Sequence, residues 1–171
     1  MVPKPYRKAG LFMGVMSGTG FPGSLRSELE ERFGRIVRET EPFPFTFTDY
    51  YEKELGKRPG RFFLFFEDLI LPDSIGKIKL ETNRLELAYS DNGLRKFDLD
   101  PGYITESSVV LATTKDRAHR VAIGDCLYAE VTLIYHRKGW ETLPWTYPDY
   151  RSERVQGIMT EFRSLYLSAR G

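Results

Sequence analysis

The chain has 171 residues, 41% hydrophobic and 29% charged, which is one domain's length with enough apolar material for a core. A net charge of +1 excludes a global field that would gather nucleic acid or an acidic membrane surface. One cysteine, Cys126, excludes an intrachain disulfide, and no apolar run reaches the roughly 20 residues of a spanning helix.

In chain order, residues 1–8 read as a loose tail and 9–171 as a single domain. Ala9 to Ser17 is an apolar strand, and residues 18–23 are a loop. A helix follows to Phe33, with Leu25, Leu29 and Phe33 on one stripe and Gly34 ending it. Residues 41–51 alternate Phe43, Phe45 and Phe47 with Pro44, Thr46 and Thr48, the pattern of a proline-bearing edge strand. Residues 52–60 are a polar connection, and Arg61 to Ile70 is a second aromatic strand. Pro72 opens a helix that runs to about Tyr89. On that helix Lys79, Asn83 and Glu86 stack at i, i+4 and i+7.

Residues 98–135 hold most of the polar groups able to do chemistry. Asp100-Pro101-Gly102-Tyr103 carries type II turn residues. Strands follow at 107–114, 119–123 and 127–135. In the last, Leu127, Ala129, Val131 and Leu133 form a core face, while Tyr128, Glu130, Thr132 and Ile134 form the other. A mid-strand carboxylate such as Glu130 must be paired, hydrogen-bonded or protonated if covered. Arg137 to Gly139 turns the chain into a strand at 140–143. A rigid aromatic loop, 144–150, precedes a final helix at 152–167. The element order predicts an α+β fold: a largely antiparallel sheet with about three helices, packed mainly on one face.

Gly14 to Gly20 lies between strand and helix but lacks the lysine of a P-loop and the spacing of a dinucleotide fingerprint, so an ordinary loop is the simpler reading. Lys115 and Asp116 are adjacent and not separated by one residue, which rejects the guanine-reading motif of GTPases. His119 and His136 lie far apart, without zinc spacing. A Mg²⁺ site would draw on Asp49, Asp100, Glu130 or Asp149. Cys126 has no patterned activator and reads as a small packed residue.

The sequence resembles, nearly end to end, an uncharacterised prokaryotic domain-of-unknown-function family, number 4416, whose members are often labelled "GTP-binding protein". The resemblance is carried by EPFPFTFTDYYEKELG (41–56), IKLETNRLE (78–86), DLDPGYIT (98–105), VVLATTKDRAHR (109–120), YAEVTL (128–133) and LPWTYPDY (143–150). It implies a grouping and no mechanism.

The residues favour a cytoplasmic protein that binds an anionic small molecule, phosphorylated or nucleotide-like, and that is open to being an enzyme. Lys79, Asn83, Lys115, Arg120 and Tyr50 are its candidate ligand contacts. His119 and Glu130 are the candidate acid/base pair, and Asp49 with Glu130 the candidate Mg²⁺ ligands. Two alternatives are an interaction or assembly module, including a homo-oligomer, that docks through residues 145–150 and the 43–48 edge, and an RNA-binding accessory protein.

Overall fold

The computed structural model describes residues 2–137 and 139–171, so Lys138, part of the expected 137–139 turn, lies outside the described residues. Residues 2–8 carry no regular structure and are exposed. Nine strands form one antiparallel sheet: β1 (Ala9–Ser17), β2 (Ile36–Glu39), β3 (Phe43–Pro44), β4 (Gly60–Ile70), β5 (Phe97–Ile104), β6 (Ser108–Thr113), β7 (Val121–Gly124), β8 (Leu127–His136) and β9 (Gly139–Thr142). The helices are α1 (Gly23–Phe33), the single-turn α2 (Glu52–Leu55), α3 (Ile75–Ala88) and α4 (Glu153–Ala169), with 3₁₀ turns at Pro72–Ser74 and Asp149–Arg151. The spatial order is β2-β4-β1-β5-β6-β8-β7. β3 also pairs with β4, and β9 with β8.

The sheet is α+β as its sequence predicts, and both of its faces are covered. On one face Leu25, Leu29, Ile75, Ile78 and Leu85 of α1 and α3 pack on Leu11, Met13, Val15, Phe62 and Leu64. On the other, Val155, Met159, Phe162 and Tyr166 of α4 pack on Phe12, Phe63 and Phe65. β1, nine residues buried throughout, is the shared centre. Two facing layers explain why it is apolar on both sides. Ser152 caps α4 by accepting from the Val155 N–H at 3.3 Å.

Four expectations are corrected. Pro101 and Gly102 sit inside β5 and do not form a turn. Pairing of β5 with β6 starts only at Gly102↔Leu111, so Pro101 stands where the second ladder has not begun and its missing N–H costs little. Gly102 is demanded by closeness: a Cβ there would lie 2.5 Å from Phe12 Cζ and 2.8 Å from the Val110 carbonyl oxygen. The aromatic segment at 41–51 is an edge strand over Phe43 and Pro44 alone, extended by one bond from the Phe45 N–H to the Pro59 carbonyl at 2.9 Å, and the outer partners of β4 are the short β2 and β3. In β8 the alternation breaks. Val109 pairs with Leu133 and Val110 with Val131, which leaves Thr132 as an extra residue. Val131 is therefore 39% exposed while Glu130, Thr132 and Leu133 are all buried. Cys126 is exposed at a turn with φ 57°, and is not packed.

The consequence for function is a fork. β5 and β6 are hydrogen-bonded only over residues 102–104 and 109–111 and then separate, while β6 stays on β8 as far as Thr113↔Tyr128. Residues 97–101 of β5 thus have β1 on one side and no strand on the other. Gly102→Ala is expected to lower stability by about 1–3 kcal/mol through overpacking against Phe12 and Val110. Urea denaturation checks this, and an unchanged midpoint would show that the strands yield.

Candidate functional site

The fork is plugged from one side by α3. Glu86 accepts the Leu99 N–H at 2.7 Å, and Lys79 Nζ donates to the Leu99 carbonyl at 2.9 Å. Two side chains two helical turns apart on one flank of α3 supply what a neighbouring strand would have supplied. Between them and the opposite layer lies a cavity of about 690 Å³. Its walls come from β5, β6 and α3, from the loop carrying Phe45 to Tyr51, and from Tyr147 to Tyr150 ahead of α4.

Its least exposed charged group is Arg61, the second residue of β4, at 3%. The guanidinium lies across Gly14, where a Cβ would come within 2.7 Å of Nη2. It is 3.3 Å from Asp100 and 3.4 Å from Asp149, and it stacks 4.9 Å from the Phe63 ring centroid. Burial disfavours its charge, but Asp149 and Asp100 outweigh this and raise its pKa. Lys79 reaches Asp100 at 3.8 Å. Arg95, ahead of β5, holds Glu54, Glu86 and Asp98 at 2.6, 3.0 and 2.8 Å.

Asp98 and Asp100, two apart on β5, project to the same face, and their surroundings drive them in opposite directions. For Asp98, burial and then the carboxylates of Asp100 and Glu86 outweigh Lys79 and Arg95, and its pKa is pushed up to about 7. For Asp100, burial opposes ionisation, but Lys79 and Arg61 prevail and hold it below the usual carboxylate range. Burial raises Asp149 against the pull of Arg61. Burial, then Glu130, pushes the Tyr147 hydroxyl up to about 12. Three buried polar atoms on these walls have no hydrogen-bond partner among the described residues: Asp98 Oδ2, Arg61 Nε and the Tyr150 hydroxyl. Such orphaned groups are costly, and all three belong to residues that line this one cavity.

The mouth has a different character. Lys115 Nζ sits 4.7 Å from the Tyr50 ring centroid, and Arg117 stands beside it on the loop between β6 and β7. Both are exposed, and among the described residues neither has a carboxylate partner.

The structure therefore gathers Lys79, Asn83, Lys115 and Tyr50 around one cavity. His119, Arg120, Glu130 and Asp49 are not on its walls. Glu130, with its side chain fully buried, receives Arg120 Nε at 2.7 Å, stands 3.1 Å from His119 Nε2 and accepts from Thr132 at 3.3 Å. Arg120 also donates to the Tyr147 hydroxyl at 2.5 Å and to the Lys115 carbonyl at 2.7 Å. Glu130 thus anchors an arginine that steadies two cavity residues from behind. Asp49 is exposed on the loop, and among the described residues no three His, Cys, Asp or Glu side chains are grouped to hold a metal ion.

Sequence reasoning passed over Arg61, Asp98, Arg95 and Arg117. One signal was available: Arg61 is the lone cation beside the run Phe62 to Phe66, at a position that alternation turns inward. Trp145 is 37% exposed and yet held in place. Its ring stacks on His119 at 5.0 Å and 7°, and its Nε1 donates to the Val131 carbonyl at 2.8 Å.

A family model described as "Domain of unknown function (DUF4416)" matches residues 7–166, and the chain belongs to that family. Comparison with curated proteins and with solved structures gives no match.

Arg61→Met removes the only ion-pair partner that Asp149 has among the described residues. It should cost about 3–5 kcal/mol, because a buried charge loses its counterion. Urea denaturation at pH 7 reads this, and a loss under 1 kcal/mol would refute it. Asp98 gives a pH signature. Its folded pKa exceeds the unfolded one, so the folded state carries the extra proton between about pH 4 and 7. Its contribution to stability is present at the acid end and is lost as pH rises through 7. The stability of Asp98→Asn relative to wild type should rise across that window by up to about 1.4 kcal/mol per pH unit. Parallel pH–stability curves for the two proteins would contradict the assignment.

Proposed function

We propose that the cavity in the β5–β6 fork binds an anionic small molecule, phosphorylated or nucleotide-like, with its anionic end at the mouth. The observation that carries this reading is the pairing of two cations without carboxylate partners, Lys115 and Arg117, with a chamber of about 690 Å³ walled by tyrosines and phenylalanines. Unpaired lysine and arginine at a rim attract phosphate at little cost, since no existing ion pair must be broken. Tyr50, Phe47 and Tyr147 offer faces on which a ring can stack. The volume falls within the usual range for small-ligand sites.

In this reading Lys115, Arg117 and Tyr50 contact the anionic end, and Lys79 and Asn83 serve the inner wall. His119, Arg120 and Glu130 position Tyr147 and the Lys115 loop. No helix among the described residues is long and apolar enough to cross a membrane. We read the compartment as the cytoplasm, because an exposed free thiol at Cys126 suits a reducing environment.

Thermal shift and calorimetry against AMP, GTP and ribose 5-phosphate, with and without Mg²⁺, test the reading. A ligand at about 100 times its Kd adds about 2.7 kcal/mol, a shift of several degrees. The double variant Lys115→Ala/Arg117→Ala should keep its unliganded Tm, both side chains being exposed, and bind at least tenfold more weakly. A flat panel, or equal binding by the double variant, would overturn the anionic-ligand reading.

A further inference from the structure

The floor of the cavity has an electrical imbalance that the mouth does not explain. Its ion-pair network sets three cations against five carboxyl groups. Glu54 and Asp100 are each about a third exposed and partly hydrated, and the negative charge that water does not meet is neutralised by protons or by a bound cation. The unsatisfied end of the network is specific. Asp98 lines the cavity at 5% exposed, its Oδ1 is taken by Arg95, and its Oδ2 is buried with no donor among the described residues. The charged or titratable groups facing it are Arg95 ahead of β5, Glu86 and Lys79 of α3, Asp100 on its own strand, Arg61 of β4 and Tyr51 ahead of α2. None of the cations in that set is left to serve Oδ2.

We propose that the floor takes a cationic head-group, an ammonium or amidinium seated between the carboxyls of Asp98 and Asp100, so that the cavity's ligand is a zwitterion with its anionic end at Lys115 and Arg117. This rests on the anion-binding reading of the mouth and adds the chemistry of the other end. In the empty cavity a proton on Asp98 does the work of the absent cation. The head-group displaces that proton on binding, because an adjacent positive charge favours the carboxylate.

Three probes separate the two ends. O-phosphotyramine carries phosphate, ring and ammonium, 4-ethylphenyl phosphate lacks the ammonium, and tyramine lacks the phosphate. Each is titrated calorimetrically into the full chain from pH 6 to 8. The ratio of the two phosphate affinities cancels the titration of the phosphate itself. O-phosphotyramine should bind at least tenfold more tightly than either partial probe at pH 8. Its advantage over 4-ethylphenyl phosphate should grow about tenfold per pH unit up to 7 and then level off. Asp98→Asn should abolish that pH slope. Equal affinity of the two phosphates at every pH would overturn the cationic head-group and leave the mouth intact. Tyramine binding as tightly as O-phosphotyramine, with the pH slope, would support the floor and overturn the mouth. Binding by none of the three would overturn both.

Discussion

The guanidinium of Arg61 is the contact on which the rest of the site depends. It is clamped from three directions: by Asp100 on β5, by Asp149 at the entry to α4, and by the face of Phe63 on its own strand. It therefore ties the sheet to the segment that leads into α4. Taking an arginine out of water is expensive, and two carboxylates at 3.3 and 3.4 Å repay that cost only while both stay in place. Gly14 is part of the same arrangement. A side chain at that position would fill the space the guanidinium occupies, so glycine in the central strand is what lets a charge lie flat on the sheet.

The fork follows from the same region. β5 carries Asp98 and Asp100 on one face, and two carboxyls beside a closed ladder would be buried without room for counterions. Separation of β5 from β6 admits Lys79 from α3 below and the Tyr147–Tyr150 segment above. The buried N–H and carbonyl of Leu99, which have no strand partner on that side, are satisfied by Glu86 and Lys79. Opening a sheet between two strands usually leaves unpaired peptide groups. Here a helix side chain answers each of those two, and the space gained becomes the cavity.

Much of the framework was legible in the sequence, and the reasons are local. The stripe Lys79, Asn83, Glu86 is helical spacing read directly, and α4 is legible from its apolar stripe of Val155, Ile158, Met159, Phe162 and Leu165. What escaped was decided by non-local geometry. Pro101-Gly102 has the residues of a turn, yet Phe12 and Leu111 press on Gly102 from neighbouring strands, and no local rule sees them. The even alternation of β8 hides a bulge opposite Val109 and Val110, which moves Val131 outward. Glu130 stood out as a mid-strand carboxylate, and its partners are indeed His119 and Arg120. Which side of the wall that group occupies depends on the strap of residues 143–151, held to β8 by Thr146 on the Thr132 carbonyl at 2.6 Å.

That strap gives Glu130 its meaning. Trp145 and Thr146 bond to consecutive carbonyls of β8, at the bulge, and Arg151 closes the loop on the carbonyls of Leu143 and Thr146. The segment therefore enters the site with little freedom, and it delivers Tyr147, Asp149 and Tyr150 in a fixed order. Arg120 then reaches from the opposite side, anchored on Glu130, to hold the Tyr147 hydroxyl. One wall of the cavity is thus supported by a buried ion pair that never touches its contents. A charge pair on that side can be fully enclosed and satisfied, while the pairs around Asp98 and Asp149 leave buried polar atoms of the lining residues unpartnered. The division separates the groups that hold the cavity's shape from those with bonding capacity left for a guest.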